Sequence, residues 1–280
     1  MRERPWTAFY GPGVRASIEA PATRDLPALV RSVAAAHGRA PAFTCCLPNG
    51  MNGTLSFAQV DAMSDAFAVH LREVAGLCPG DRVAVQMPNG LAYPVAAFGA
   101  LKAGCTLVNV NPLYTEGEMA RLFEDAAPRA LVVADMFAGK VPAATRRHPI
   151  PHVVVARVAE FLPALPRAIA GLVQRHWDRT VRPLGWPHVR LPGALASGAR
   201  RQAEGRIEPA RYAGGVEPDD VALLQYTGGT TGAAKGAMLT HRNLLINMEQ
   251  TLELTTGLEK GREVALTALP LYHIFAFTVN

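Results

Sequence analysis

The chain has 280 residues, 49% hydrophobic and 18% charged, which is enough apolar side chain for a substantial core and excludes a disordered protein. Its net charge of +5 is unevenly spread: residues 140–211 carry 13 Lys and Arg against 4 Asp and Glu. Such a basic segment can meet nucleic acid or anionic lipid, but no finger, helix-turn-helix or regularly interleaved aromatic pattern accompanies it, so no nucleic-acid partner is assigned. A solvated arginine-rich surface remains the alternative.

The N-terminal stretch MRERPWTAFYGPG has no apolar h-region, so a signal peptide is not expected. Four cysteines (Cys45, Cys46, Cys78, Cys105) show neither C-x-x-C nor Cys/His ligand spacing. They read as reduced thiols in a cytoplasmic protein, with Cys45 and Cys46 as small buried apolar residues. From Ser56 a capping box with Gln59 opens a helix whose Met63, Phe67, Leu71 and Val74 recur at helical spacing. Residues 81–87 read as a strand and 91–103 as a helix. The uncharged run 83–101 is long enough to suggest a membrane span, but Pro88, Asn89, Gly90 and Pro94 break it. A strand over 105–110 follows, then a helix over 116–126 capped by Thr115 with Glu118, and short buried strands at 130–134 and 152–156. These β-α-β units predict an α/β fold with mostly parallel sheets flanked by helices.

Residues 159–182 place Leu165, Ile169, Leu172, Val173 and Trp177 on one helical face, with Arg167, Arg175, Arg179 and Arg182 elsewhere. A basic amphipathic helix with Trp suits peripheral contact with a membrane interface; packing against its own domain is the preferred expectation. Residues 190–216 read as an exposed connector.

The stretch from Thr227 to Lys235, TGGTTGAAK, lies between two β-like runs, 221–226 and 236–241, with the next helix opening near 240–245. A strand-loop-strand hairpin is predicted. A Walker loop runs straight into a helix and needs Gly where this chain has Ala234, which disfavours a P-loop NTPase. The residue types still suit phosphate: Gly228, Gly229 and Gly232 let backbone N–H groups converge on an anion, Thr227, Thr230 and Thr231 add hydroxyls, and Lys235 adds charge. One charge pair at 4 Å is worth about 4 kcal/mol at an effective dielectric near 20. Micromolar binding needs about 8 kcal/mol, so several donors must act together. His241 and Arg242, just beyond, are assigned only capping and surface contacts.

The segment YTGGTTGAAKGAMLTHRN resembles the signature of the AMP-forming acyl-adenylate synthetases, most closely the bacterial long-chain fatty acyl-CoA synthetases. The blocks 80–89, 93–104, 108–115, 217–229 and 268–278 are similar and in matching order. The resemblance implies activation of a fatty acid by ATP and Mg²⁺ to an acyl-AMP, then thioester formation with coenzyme A. It implies that Tyr226, Thr227, Gly228, Gly229, Thr230, Thr231, Gly232 and Lys235 grip the β- and γ-phosphates. Thr227 is the implied Mg²⁺-associated hydroxyl. His273, in the block 271–275, is the implied donor to the carboxylate or acyl phosphate. Family chains are roughly twice as long. Residues 1–280 are therefore expected to be an incomplete N-terminal AMP-binding domain, without the C-terminal lid domain and inactive alone. Adenylation of an aryl or amino acid, a non-catalytic nucleotide- or membrane-binding role, and a homodimer stay open.

Overall fold

The computed structural model describes residues 4–18, 20–47, 49–174, 181, 183–227, 234–255, 257–259 and 261–279. An antiparallel hairpin, β1 (Pro41–Cys46) with β2 (Asn52–Ser56), stands apart from a seven-stranded sheet. The sheet comprises β3 (Arg82–Gln86), β4 (Thr106–Asn109), β5 (Ala130–Ala134), β6 (His152–Ala156), β7 (Val189–Arg190), β8 (Val221–Thr227) and β9 (Lys235–Thr240). Its order is β7-β6-β5-β3-β4-β8-β9. Neighbours run parallel except β8 and β9, which form an antiparallel hairpin. The predicted α/β class and the strand-loop-strand hairpin are both present.

Alternation along each strand feeds two cores. Val83 and Val85 of β3 face one side, with Leu107 and Leu223, while Ala84 faces the other, with Val108, Leu131 and Val133. Because both faces are covered, the central strands read as continuous apolar runs. The first core lies under α2 (Phe57–Val69), α3 (Ala92–Lys102) and α7 (Leu191–Gly205); the second lies under α4 (Glu116–Ala126) and α5 (Val141–Ala144). The capping boxes Ser56/Gln59 and Thr115/Glu118 start α2 and α4 as expected. α1 (Leu26–His37) packs on α2. There the fully buried Lys102 ammonium sits between Asp61 and Asp65, 2.9 Å from Asp65 Oδ1.

Three expectations need correction. Residues 191–205 are helix, not exposed connector: a Cβ on Gly198 would lie 1.8 Å from the Ala66 carbonyl oxygen. The small residues that read as loop composition are what let α7 press on the α2 backbone. Cys46 is exposed and Cys45 half-buried, because alternation on a two-stranded hairpin cannot bury consecutive residues. All four cysteines are free thiols. The helix expected within 159–182 is α6 (Ala164–Leu172), and its apolar stripe is not packed on the domain: Leu165 is 70% and Leu172 60% exposed. Only Ala170 is buried, against a small cluster with Ala159 and Leu162, which is too little surface to draw the bulky stripe inward. Arg175, Trp177, Arg179 and Arg182 lie outside the described residues. Among the described residues no helix is long and apolar enough to cross a membrane.

Candidate active site

The carboxyl ends of parallel strands form the edge at which open α/β sheets bind ligands. β8 passes this edge and turns into β9, with Thr227 opposite Lys235 and Tyr226 opposite Gly236. Directly opposed residues of an antiparallel pair project from the same face. Thr227 and Lys235 therefore share a face, and both are exposed. Residues 228–233, which include Gly228, Gly229, Thr230, Thr231 and Gly232 of the candidate phosphate grip, lie outside the described residues.

Period-2 alternation puts Tyr226 on the opposite face from Thr227 and Lys235. Its phenol donates to Asp125 Oδ2 on α4, and its ring belongs to the second core. Burial, with the Asp125 carboxylate beside it, pushes the phenol above the usual tyrosine range. A Cβ at position 236 would lie 3.0 Å from the Tyr226 ring, so glycine opposite Tyr226 lets β9 close on β8. The side chain of Tyr226 thus shapes the base of the hairpin from behind.

On the face shared by Thr227 and Lys235 lie Gln225 and its β4 neighbour Asn109. Asn109 Oδ1 and the Leu271 carbonyl oxygen lie 2.9 and 2.8 Å from the Tyr93 hydroxyl, which has one proton to share between them. Asn89, in the turn after β3, completes the anchor. Its Nδ2 donates to the carbonyls of Thr267 (3.2 Å) and Leu269 (2.9 Å), and its Oδ1 accepts the Leu271 N–H at 2.7 Å. These bonds fasten the segment leading to His273 onto the carboxyl edge of β3 and β4. Asn109 Nδ2 and Gln225 Oε1 are buried without partners among the described residues, leaving a donor and an acceptor in the floor beside it.

His273 is exposed and precedes a short helix, Ile274–Val279. Its Nδ1 accepts the Phe275 N–H at 3.3 Å. That bond assigns the neutral ring's proton to Nε2, so the imidazole presents a donor to solvent. Sequence reasoning singled out His273 but missed Asn89, Tyr93 and Asn109. The Pro-Asn-Gly turn immediately after a buried strand was the available signal for Asn89. His241 is buried instead of making a surface contact, and its ring accepts the Leu26 N–H that opens α1, while Arg242 pairs with Asp219 at 2.7 Å as expected.

An open, mostly parallel α/β sheet with a Gly/Thr-rich hairpin and a tethered aromatic segment at its carboxyl edge defines the N-terminal architecture of the acyl-adenylate-forming class. The chain belongs to the AMP-binding enzyme family, which it matches over residues 30–280. It is 39% identical over 98% of its length to a long-chain-fatty-acid–CoA ligase of Salmonella typhimurium, and spans 47% of that relative. A relative of the same name from Escherichia coli O6:H1 is 38% identical, with the same coverage of both chains. The chain thus spans about half the length of these curated relatives. A crystal structure of a long-chain-fatty-acid-CoA ligase from Archaeoglobus fulgidus superposes with a TM-score of 0.68 over 96% of this chain and 47% of that one; at 23% identity it supports the fold.

Proposed function

We propose that this chain supplies the N-terminal AMP-binding part of a cytoplasmic long-chain fatty acid–CoA ligase. The observation that carries the reading is the shared face of Thr227 and Lys235, on the same side of the sheet as the anchored segment ending at His273. In the first step a carboxylate oxygen bonds to the α-phosphorus of ATP, the bond to the β-phosphate breaks, and pyrophosphate leaves. In the second, the sulfur of coenzyme A attacks the acyl carbon, AMP departs, and the thiol proton is lost.

Both partners of the first step are anions, so their approach requires donors already in place. Lys235 and the hairpin's hydroxyl and N–H groups hold the β- and γ-phosphates and steady the departing pyrophosphate. His273 Nε2–H donates to the incoming carboxylate, and the Asn89–Tyr93–Asn109 anchor sets where that donor stands. The Thr227 hydroxyl, exposed beside Lys235, would offer Mg²⁺ a hard oxygen ligand were the ion bound here. When bound, Mg²⁺ neutralises charge on the phosphates. The exposed stripe of α6 serves as a peripheral contact with lipid, where long-chain acids partition.

The test is acid-dependent exchange of pyrophosphate into ATP by this chain and by any longer form containing it. Long-chain fatty acid, benzoate and free amino acids serve as competing substrates. Exchange dependent on fatty acid supports the reading. Exchange with only an aryl or amino acid moves the chain to another adenylating ligase, and no exchange by the longer form removes the ligase reading.

A further inference from the structure

Helix α8 (His241–Leu254) grows directly out of β9: Thr240, the last residue of the strand, is its N-cap, in a capping box with Asn243. β9 ends the strand order, and among the described residues β8 alone pairs with it. Whatever holds α8 therefore also holds the far end of the strand that Lys235 begins. The helix lies against the other half of the candidate site as well. Leu244 and Leu245 share a core with Leu271, and α8 packs on the short helix Ile274–Val279 directly after His273.

The N-terminal part of the chain fastens α8 on its other flank. Side chains four residues apart form one row along a helix, and His241, Leu245 and Glu249 stand in such a row. Leu245 is buried in the core. His241 Nδ1 accepts the Leu26 N–H at 3.2 Å, and Glu249 Oε1 accepts the Ala22 N–H. Between these two contacts Arg24 pairs with Glu217 at 2.6 Å, in the turn that leads into β8. That turn also takes the first amides of α8: the His241 N–H reaches the Asp220 carbonyl, and the Arg242 N–H reaches the Pro218 carbonyl. Residues 22–26 thus bridge α8 and the root of β8.

His241 is the buried member of this joint, at 3% exposed. Its acceptor serves Leu26, the first residue of α1, whose N–H has no partner within its own helix. Asp25, also buried, caps the same helix by accepting the Ala28 N–H at 2.7 Å. An apolar residue at position 241 would fill the space but leave the Leu26 amide buried and unpaired, which is costly. The ring nitrogen therefore makes a specific joint between α1 and α8.

We propose that His241 is a positioning residue for the adenylation step. Through Leu26 it locks α8 to α1, and α8 sets the strand of Lys235 against the segment that carries His273. The joint acts through position alone: it governs how phosphate and carboxylate meet, and such reactions respond steeply to small misplacements. This role rests on those proposed for Lys235 and His273.

Two measurements test it on His241→Phe, which keeps a ring and loses the acceptor, and on His241→Asn, whose Oδ1 restores one. Glu249→Ala breaks the second contact at a half-buried position and takes the place of His241→Phe if that variant does not fold. The first measurement is amide hydrogen exchange on this chain. His241→Phe should speed exchange roughly fivefold to tenfold in β9 and in residues 269–279, as well as in α8, with β3 and β5 unchanged. Faster exchange confined to α8 and the start of α1 overturns the positioning role, whatever the activity. The second is fatty-acid-dependent pyrophosphate exchange by the form that shows it, at a temperature where thermal unfolding finds each variant folded. His241→Phe should lower kcat roughly tenfold to a hundredfold, with KM for ATP and for fatty acid within about threefold of the parent. His241→Asn should recover most of that loss. An unchanged kcat in folded His241→Phe makes the joint purely structural and overturns the role. Absence of pyrophosphate exchange by every form removes the ligase reading, and the positioning role with it, while hydrogen exchange still decides whether the joint reaches both segments.

Discussion

The Tyr226 hydroxyl donates to Asp125 Oδ2, tying the last buried residue of β8 to α4 across the back of the candidate phosphate hairpin. The side chain is therefore committed on the face opposite Lys235. Tyr226→Phe keeps the ring against Gly236 and removes one hydrogen bond to an exposed carboxylate. The expected cost is about 1 kcal/mol of stability, read by urea denaturation, with KM for ATP within about threefold of the parent. A loss of ATP affinity beyond tenfold, with stability unchanged, would return the phenol to the phosphate grip.

Asn89 holds three backbone groups of the segment leading to His273. Asn89→Ala removes all three bonds at about 1 kcal/mol each, and the fastening beside His273 loosens. Acid-dependent pyrophosphate exchange in the active form should fall roughly tenfold to a hundredfold, with a larger change in the KM for fatty acid than in the KM for ATP. Equal changes in both would show that Asn89 serves general stability. Asn89→Asp, which keeps the acceptor for Leu271 N–H, should recover part of the loss.

Most of the sheet was legible in the sequence because its signals are local. The run 130–134 is apolar and short, Thr115 and Glu118 sit three apart, and two β-like runs bracket the Gly/Thr segment; β5, α4 and the hairpin follow from these. What escaped depends on distant partners. Asn89 meets Leu271 across 182 positions and Tyr226 meets Asp125 across 101, and no periodicity marks either pair. Helix α7 escaped for another reason: glycine and serine at 193, 197 and 198 weaken helix propensity, yet close packing on α2 selects small residues there. The exposed stripe of α6 was legible as amphipathic, but only the three-dimensional arrangement shows it facing outward.

His70, in the π turn His70–Val74 that continues α2, is 5% exposed and stacked on Phe67, with Nδ1 2.7 Å from Ser197 Oγ. Ser197 spends its own proton on the Ala194 carbonyl, so the imidazole Nδ1–H donates to the serine oxygen. Burial first, then the nearby His152, lowers its pKa from 6.5 to about 4. Between those values the unfolded chain binds a proton that the folded chain refuses, so stability is complete above pH 6.5 and falls as pH drops towards 4. The contribution is on the order of 3 kcal/mol. Burial lowers His241 and His152 as well, giving the same sign. Urea midpoints measured from pH 7 to pH 4 should decline, and His70→Asn, which keeps a donor for Ser197, should flatten part of that decline. An unchanged slope in the variant would assign the acid sensitivity elsewhere.

Lys235 gives the sharpest division between the two proposed half-reactions. It begins β9 directly opposite Thr227, exposed, and among the described residues its ammonium has no ion-pair partner. A cation so placed is free to meet the triphosphate, and its charge matters most while pyrophosphate is leaving. Once acyl-AMP has formed, the β- and γ-phosphates are gone and Lys235 has little left to hold. Lys235→Ala should therefore slow acyl-AMP formation roughly a hundredfold or more in single-turnover measurements, and leave thioester formation from supplied acyl-AMP within a few-fold of the parent. Lys235→Arg should recover part of the first step, since charge is kept while the donor geometry changes. Equal losses in both half-reactions would instead place Lys235 against the AMP or acyl moiety, which persists through both steps.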